Sequence, residues 1–192
     1  MSTYTTAGSK SAQVDWRRIP AYGPIDAVLG YVLFYVLVDR ATSTIVSVAS
    51  DIIPNVPASA VRFALAALLW FVLLVTVVDS ARRQLAALGF GGYETGLKWP
   101  NSKPMPTALQ TVAYLATVLV GGTIAVWLFD SAIETAVGLI TVVAALDVSA
   151  FPVGAFVGLV VFFVSYGAAA HSLDRLLVGG LRAVVTWSIG VE

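Results

Sequence analysis

Four stretches of this chain run for about 16 to 23 residues almost without a charged side chain, and charged or polar residues flank them. The first extends from Pro20 to Val38 and stops at Asp39 and Arg40. The second, Phe63 to Val78, lies between Arg62 and Asp79. The third, Thr111 to Phe129, stops at Asp130, and the fourth, Val148 to Ala170, is followed by His171. A helix needs about 20 mostly apolar residues to cross roughly 30 Å of hydrocarbon, and it satisfies its own backbone polar groups there. Each stretch therefore predicts a transmembrane helix. A fifth apolar run, Ala132 to Leu146, is interrupted by Glu134 and stops at Asp147. With about 12 residues beyond Glu134, it suits a re-entrant or interfacial segment rather than an unaided span.

Composition removes the soluble alternatives. Of 192 residues, 58% are apolar and only 11% charged, and the mean hydropathy is +0.88. A soluble domain carries about 25% charged residues, so this chain cannot clothe a water-facing surface. Its 11 basic and 11 acidic residues cancel, leaving no net field to attract nucleic acid or another charged partner. The absence of Cys removes disulfides, thiol nucleophiles and thiolate metal sites. The expected partners are the lipid bilayer and either further copies of the chain or other membrane proteins. No nucleic acid, cofactor or metal is expected. Arg outnumbers Lys, and Ala and Val dominate the apolar set, which suits a high-GC genome such as that of a halophilic archaeon, an actinobacterium or one of their viruses.

The expected fold is all-α, with four transmembrane helices arranged as two tandem hairpins, each carrying an outer amphipathic or re-entrant helix. A polar N-terminal tail covers residues 1–19, the first hairpin 20–80, a Gly/Pro-rich linker 81–106, the second hairpin 107–173, and an interfacial C-terminal tail 174–192. All basic residues except Arg40 and Arg62 fall in the tails and the linker. The positive-inside rule then puts both termini and the linker inside a cell membrane, or inside a virion membrane if the chain is viral. The first helix would serve as an uncleaved signal anchor.

The halves resemble each other. A shift of 91 residues sets Gly30 on Gly121, Leu37 on Leu128, Asp39 on Asp130, Ala41 on Ala132 and Thr44 on Thr135. A shift of 92 sets Phe71 on Phe163, Ser80 on Ser172 and Arg83 on Arg175. Each half reads helix, Asp, amphipathic segment, helix, Ser-x-x-Arg-x-Leu, which predicts a parallel internal repeat. In the first amphipathic segment, Ile45, Val48, Ala49, Ile52 and Ile53 share one helical face. Asp39 and Asp130 are the expected N-caps of these outer helices.

Few residues offer chemistry. His171 is the sole histidine and cannot build a multi-histidine metal site. Ser165 and His171 are six apart and do not share a helix face, so with Asp174 they make no triad. Asp26 is the possible intramembrane acid. At depth it would mark an ion or proton path, whereas in the first turn after Pro24 it would favour the helix N-terminus. We predict the interfacial placement. Gly154-x-x-x-Gly158 allows close helix approach, with Gly121 and Gly122 as receivers or with self-dimerisation as the alternative. Gly179-Gly180 is expected to weaken any helix in the C-terminal tail. The expected function is non-enzymatic: a structural or scaffold membrane protein, or a subunit of a membrane or viral-envelope complex. The alternative is a small oligomeric transporter or channel.

Overall fold

The computed structural model describes residues 22–87 and 106–188, and it is all-helical apart from short connections. The helices are α1 (Pro24–Ile52), α2 (Ala58–Ala87), α3 (Ala108–Ala145) and α4 (Val153–Ser188), with one 3-10 turn at Val148–Ala150. All four are long and apolar enough to cross a membrane, and the chain is a membrane protein. The N-terminal tail 1–19 and most of the linker lie outside the described residues. Residues 81–87, assigned to the linker by sequence, continue α2.

The outer segments are not separate elements. Residues 40–52 complete α1, which has 29 residues, and residues 131–145 complete α3, which has 38. At helical rise these helices are about 43 and 57 Å long. Asp39 and Asp130 are therefore exposed mid-helix residues and not N-caps. The physical reason is that a carboxylate within a helix costs well under about 1 kcal/mol of propensity. It changes the preferred solvent and leaves the backbone hydrogen bonds intact. The helices end where backbone geometry changes. After Ile52, Ile53 turns extended and Pro54 follows, with Asn55 at φ 71°. After Ala145, Leu146 adopts the left-handed conformation at φ 53° and donates its N–H to the Val142 and Val143 carbonyls.

Residues 174–188 of the C-terminal tail likewise continue α4, which passes through Gly179-Gly180 without a break; residues 189–192 lie outside the described residues. Gly179 has a packing role: a Cβ there would meet Pro106 at 3.3 Å and the Tyr22 hydroxyl at 3.6 Å.

The core lies where α3 and α4, the most extensively packed pair, receive α1. Leu33, Ala125, Ala132, Ile133, Leu159 and Phe162 form it. Phe162 is wholly buried, with Phe129 edge-on at 6.0 Å between ring centroids and Tyr166 at 5.8 Å. Alanines at 125 and 132 let α3 approach closely enough for these rings to fill the space. α2 packs mainly on α1, and none of its apolar window is buried.

Candidate functional site

At the N-terminal end of α1, polar groups from three helices converge. Pro24 takes the first helical position, where a missing N–H is no loss. Gly23 sits at φ 120°, a conformation that favours glycine. No side chain local to α1 caps its free amides. Asp174 of α4 does so instead, accepting from the Gly23 N–H at 2.8 Å and the Ile25 N–H at 3.1 Å. Its two carboxylate oxygens divide these bonds, and the residue is only 1% exposed. The α3 start is built locally: Thr107 and Gln110 form a reciprocal capping box.

Two arginines flank Tyr22. The Arg175 and Arg182 guanidinium carbons lie 4.3 and 4.1 Å from its ring centroid. Arg182 is 3% exposed and also bonds the Tyr22 hydroxyl. The Nε of Arg175 is buried without a hydrogen-bond partner. The cation–π contacts and the nearby Asp174 carboxylate compensate the burial of positive charge. One turn deeper, the Tyr166 hydroxyl donates to the Leu29 carbonyl at 2.7 Å, fixing α4 to α1 again.

Asp26 is half-buried in the first turn of α1. It lines a small cleft with Tyr22, Gly23, Asp79, Ser80 and Arg83. Arg83 pairs with Asp79 at 2.6 Å, and both side chains are 56% exposed. Such exposed pairs contribute little. A second, open cleft, lined by Ala125, Val126, Phe129, Asp130 and Tyr166, is largely apolar.

The glycines separate. Gly121 is pressed against α4: a Cβ there would sit 3.0 Å from the Ser165 carbonyl oxygen and 3.6 Å from the Ala169 Cβ. Gly122, Gly154 and Gly158 face open space within 4 Å. The expected meeting of Gly154 and Gly158 with Gly121 and Gly122 does not occur. The antiparallel register brings residues 165–169 to Gly121, about two turns away from 154–158.

His171 is exposed and Ser165 half-buried, while Asp174 is committed to the α1 amides, so the three form no catalytic arrangement. Sequence reading placed Asp26 in the first turn but missed Asp174, Tyr22 and the two arginines as a unit. The available signal was a Gly-Pro helix start lacking a Ser, Thr, Asp or Asn cap. Such a start requires a partner from elsewhere in the chain. No family model, curated protein or solved structure matches this chain.

Proposed function

We propose that this protein is a non-enzymatic membrane component that works by lateral association, as a scaffold or as a subunit of a larger membrane or envelope complex. The carrying observation is how its buried polar groups are used. Asp174, Tyr22 and Arg182 are occupied in joining α4 to the start of α1. The bundle interior beyond them is filled by Phe129, Phe162 and Tyr166. That arrangement resembles a structural fastening and, among the described residues, offers no polar path through a single bundle.

The apolar part of α4, Val153 to Ala170, measures about 27 Å, close to the thickness of the hydrocarbon layer. Helix neighbours carry this depth across the bundle. Gly23 meets Asp174, Leu29 meets Tyr166, Gly23 lies beside Arg83, and Leu33 shares a core with Ala125. By helical rise, Asp26, Asp79 and His171 then share one boundary, and Arg62 and Glu134 the other. Asp39 and Asp130 fall about 7 Å inside that second boundary. Charge placement orients the first boundary, with the termini and linker, toward the inside of a cell or virion membrane.

An internal duplication belongs to the same reading. α1 and α3 run parallel, Ala41 and Ala132 are both buried, and Asn55 and Leu146 both turn at positive φ. Each of these pairs is separated by the same 91 residues that align the two halves of the sequence.

The test is reconstitution in liposomes together with purification in mild detergent. A stable assembly and no ion or solute flux is expected. Flux through the pure protein would favour a small oligomeric transporter or channel, whose support is the Asp26 cleft at one boundary.

A further inference from the structure

Apolar exposure on this bundle needs no partner other than lipid. Three features do not suit lipid. Trp70 and Trp127 are 64% and 81% exposed, yet they fall about 10–12 Å inside the Arg62–Glu134 boundary, near the middle of the bilayer. Tryptophan favours the headgroup level, where its indole N–H finds acceptors. Asp130, like Asp39 on α1, is exposed at hydrocarbon depth, where a carboxylate is costly. Arg62 and Glu134 are both exposed, and neither forms an ion pair among the described residues.

These residues form two matching stripes. On α2, Arg62, Ala66, Trp70, Leu73 and Val77 recur at intervals of three or four and share a face. On α3, Leu119, Thr123, Val126, Asp130 and Glu134 do the same, with Trp127 at the margin. Counted by helical rise from Gly23–Arg83 and Leu33–Ala125, Arg62 and Glu134 lie within about one helical turn of one height, as do Trp70 and Trp127. The acidic stripe and the stripe bearing its counter-charge are therefore level with each other in copies inserted the same way round. That complementarity selects a second copy of the chain as the partner.

We infer that α2 of one copy lies antiparallel along the exposed face of α3 of the next, with Arg62 opposite Glu134 and Asp130 and with Trp70 against Trp127. The contact is head-to-tail, so repetition builds a ring or a row and not only a pair. It rests on the lateral-association reading above and names its partner and faces.

The Cys-free sequence permits a direct test. A chain carrying both Val77→Cys and Thr123→Cys, oxidised in native membranes, should give a ladder of dimers, trimers and higher species. Each single variant alone should give none, and a mixture of the two singles should give dimers only. Arg62→Glu or Glu134→Arg should each weaken the self-association about thirtyfold, the effect of setting like charges opposite each other across the contact. The combined reversal should restore it. An inserted chain that forms no ladder, or a ladder indifferent to both charge reversals, overturns the interface. A stable complex with a different protein and no ladder would overturn it while leaving the lateral-association reading standing. Flux through liposomes bearing a charge-sensitive ladder would uphold the interface and overturn the passive function.

Discussion

Asp174 closes the start of α1 from the far end of the sequence, its Oδ2 accepting from the Gly23 N–H at 2.8 Å across 151 residues. With the companion bond to Ile25, one carboxylate satisfies two of the three amides left free at this start, since Pro24 has none. Replacing it with Asn leaves one acceptor where two are needed. Asp174→Asn should destabilise the bundle by about 1–3 kcal/mol and Asp174→Ala by more, since each leaves a buried donor unmade. Thermal melting in detergent measures both. An unchanged melting temperature for Asp174→Ala would remove the fastening role.

Asp26 makes a contrasting case. A first-turn carboxylate gains about 0.3–1 kcal/mol from the helix N-terminus, whereas one at the bilayer centre costs roughly 2.5–3.5 kcal/mol on insertion scales. Asp26→Asn should therefore lower stability slightly and leave any activity intact. A rise in melting temperature accompanied by loss of proton or ion flux would show a buried working acid.

Gly121 and its sequence partners should diverge on substitution. Gly121→Ala drives a methyl to 3.0 Å from the Ser165 carbonyl oxygen and should cost about 1–3 kcal/mol, as overpacking does. Gly154→Ala and Gly158→Ala meet open space and should be neutral or stabilising by up to about 1 kcal/mol through helix propensity. Equal effects at the three positions would contradict the register of α3 against α4.

Asp147 lies in the turn between α3 and α4, where Ser149 donates its hydroxyl at 2.5 Å and its backbone N–H at 3.0 Å to one carboxylate oxygen. The hydroxyl bond, then the backbone bond, hold the carboxyl below its ordinary value of 3.8. Because the folded state favours the ionised form, its stabilising contribution is present above the unfolded pKa and is lost as pH falls through the folded one. Carboxyl NMR titration should find this midpoint low, and Ser149→Ala should raise it.

Single cysteines placed at positions 8, 95 and 190 test orientation. An impermeant thiol reagent applied outside intact cells should label none of them. Labelling of any one would sink the assignment of both termini and the linker to the inside.

The spans were legible because crossing a membrane is a summed property: about 20 apolar residues announce themselves wherever they stand. The ends were not. Asp39 and Asp130 were read as boundaries because they interrupt apolar runs, but a helix backbone is indifferent to a single carboxylate, and Pro54 and Leu146 mark the ends instead. Gly154 and Gly158 were legible as a close-approach motif, yet a motif of small residues names no partner. Register decided that Gly121 alone meets α4. The Asp174 clamp was the least visible, since it joins positions that only the assembled bundle brings together.

That clamp also gives the chain a sense of time. A ribosome releases Gly23 long before Asp174, so the opening hairpin enters the bilayer with the leading amides of α1 bare. They are sealed only when α4 arrives. A chain cut short before residue 174 would keep its first three apolar helices and still lack the bond that closes the bundle. Closure of the bundle thereby waits on the synthesis of α4, and Asp174 acts as its latch.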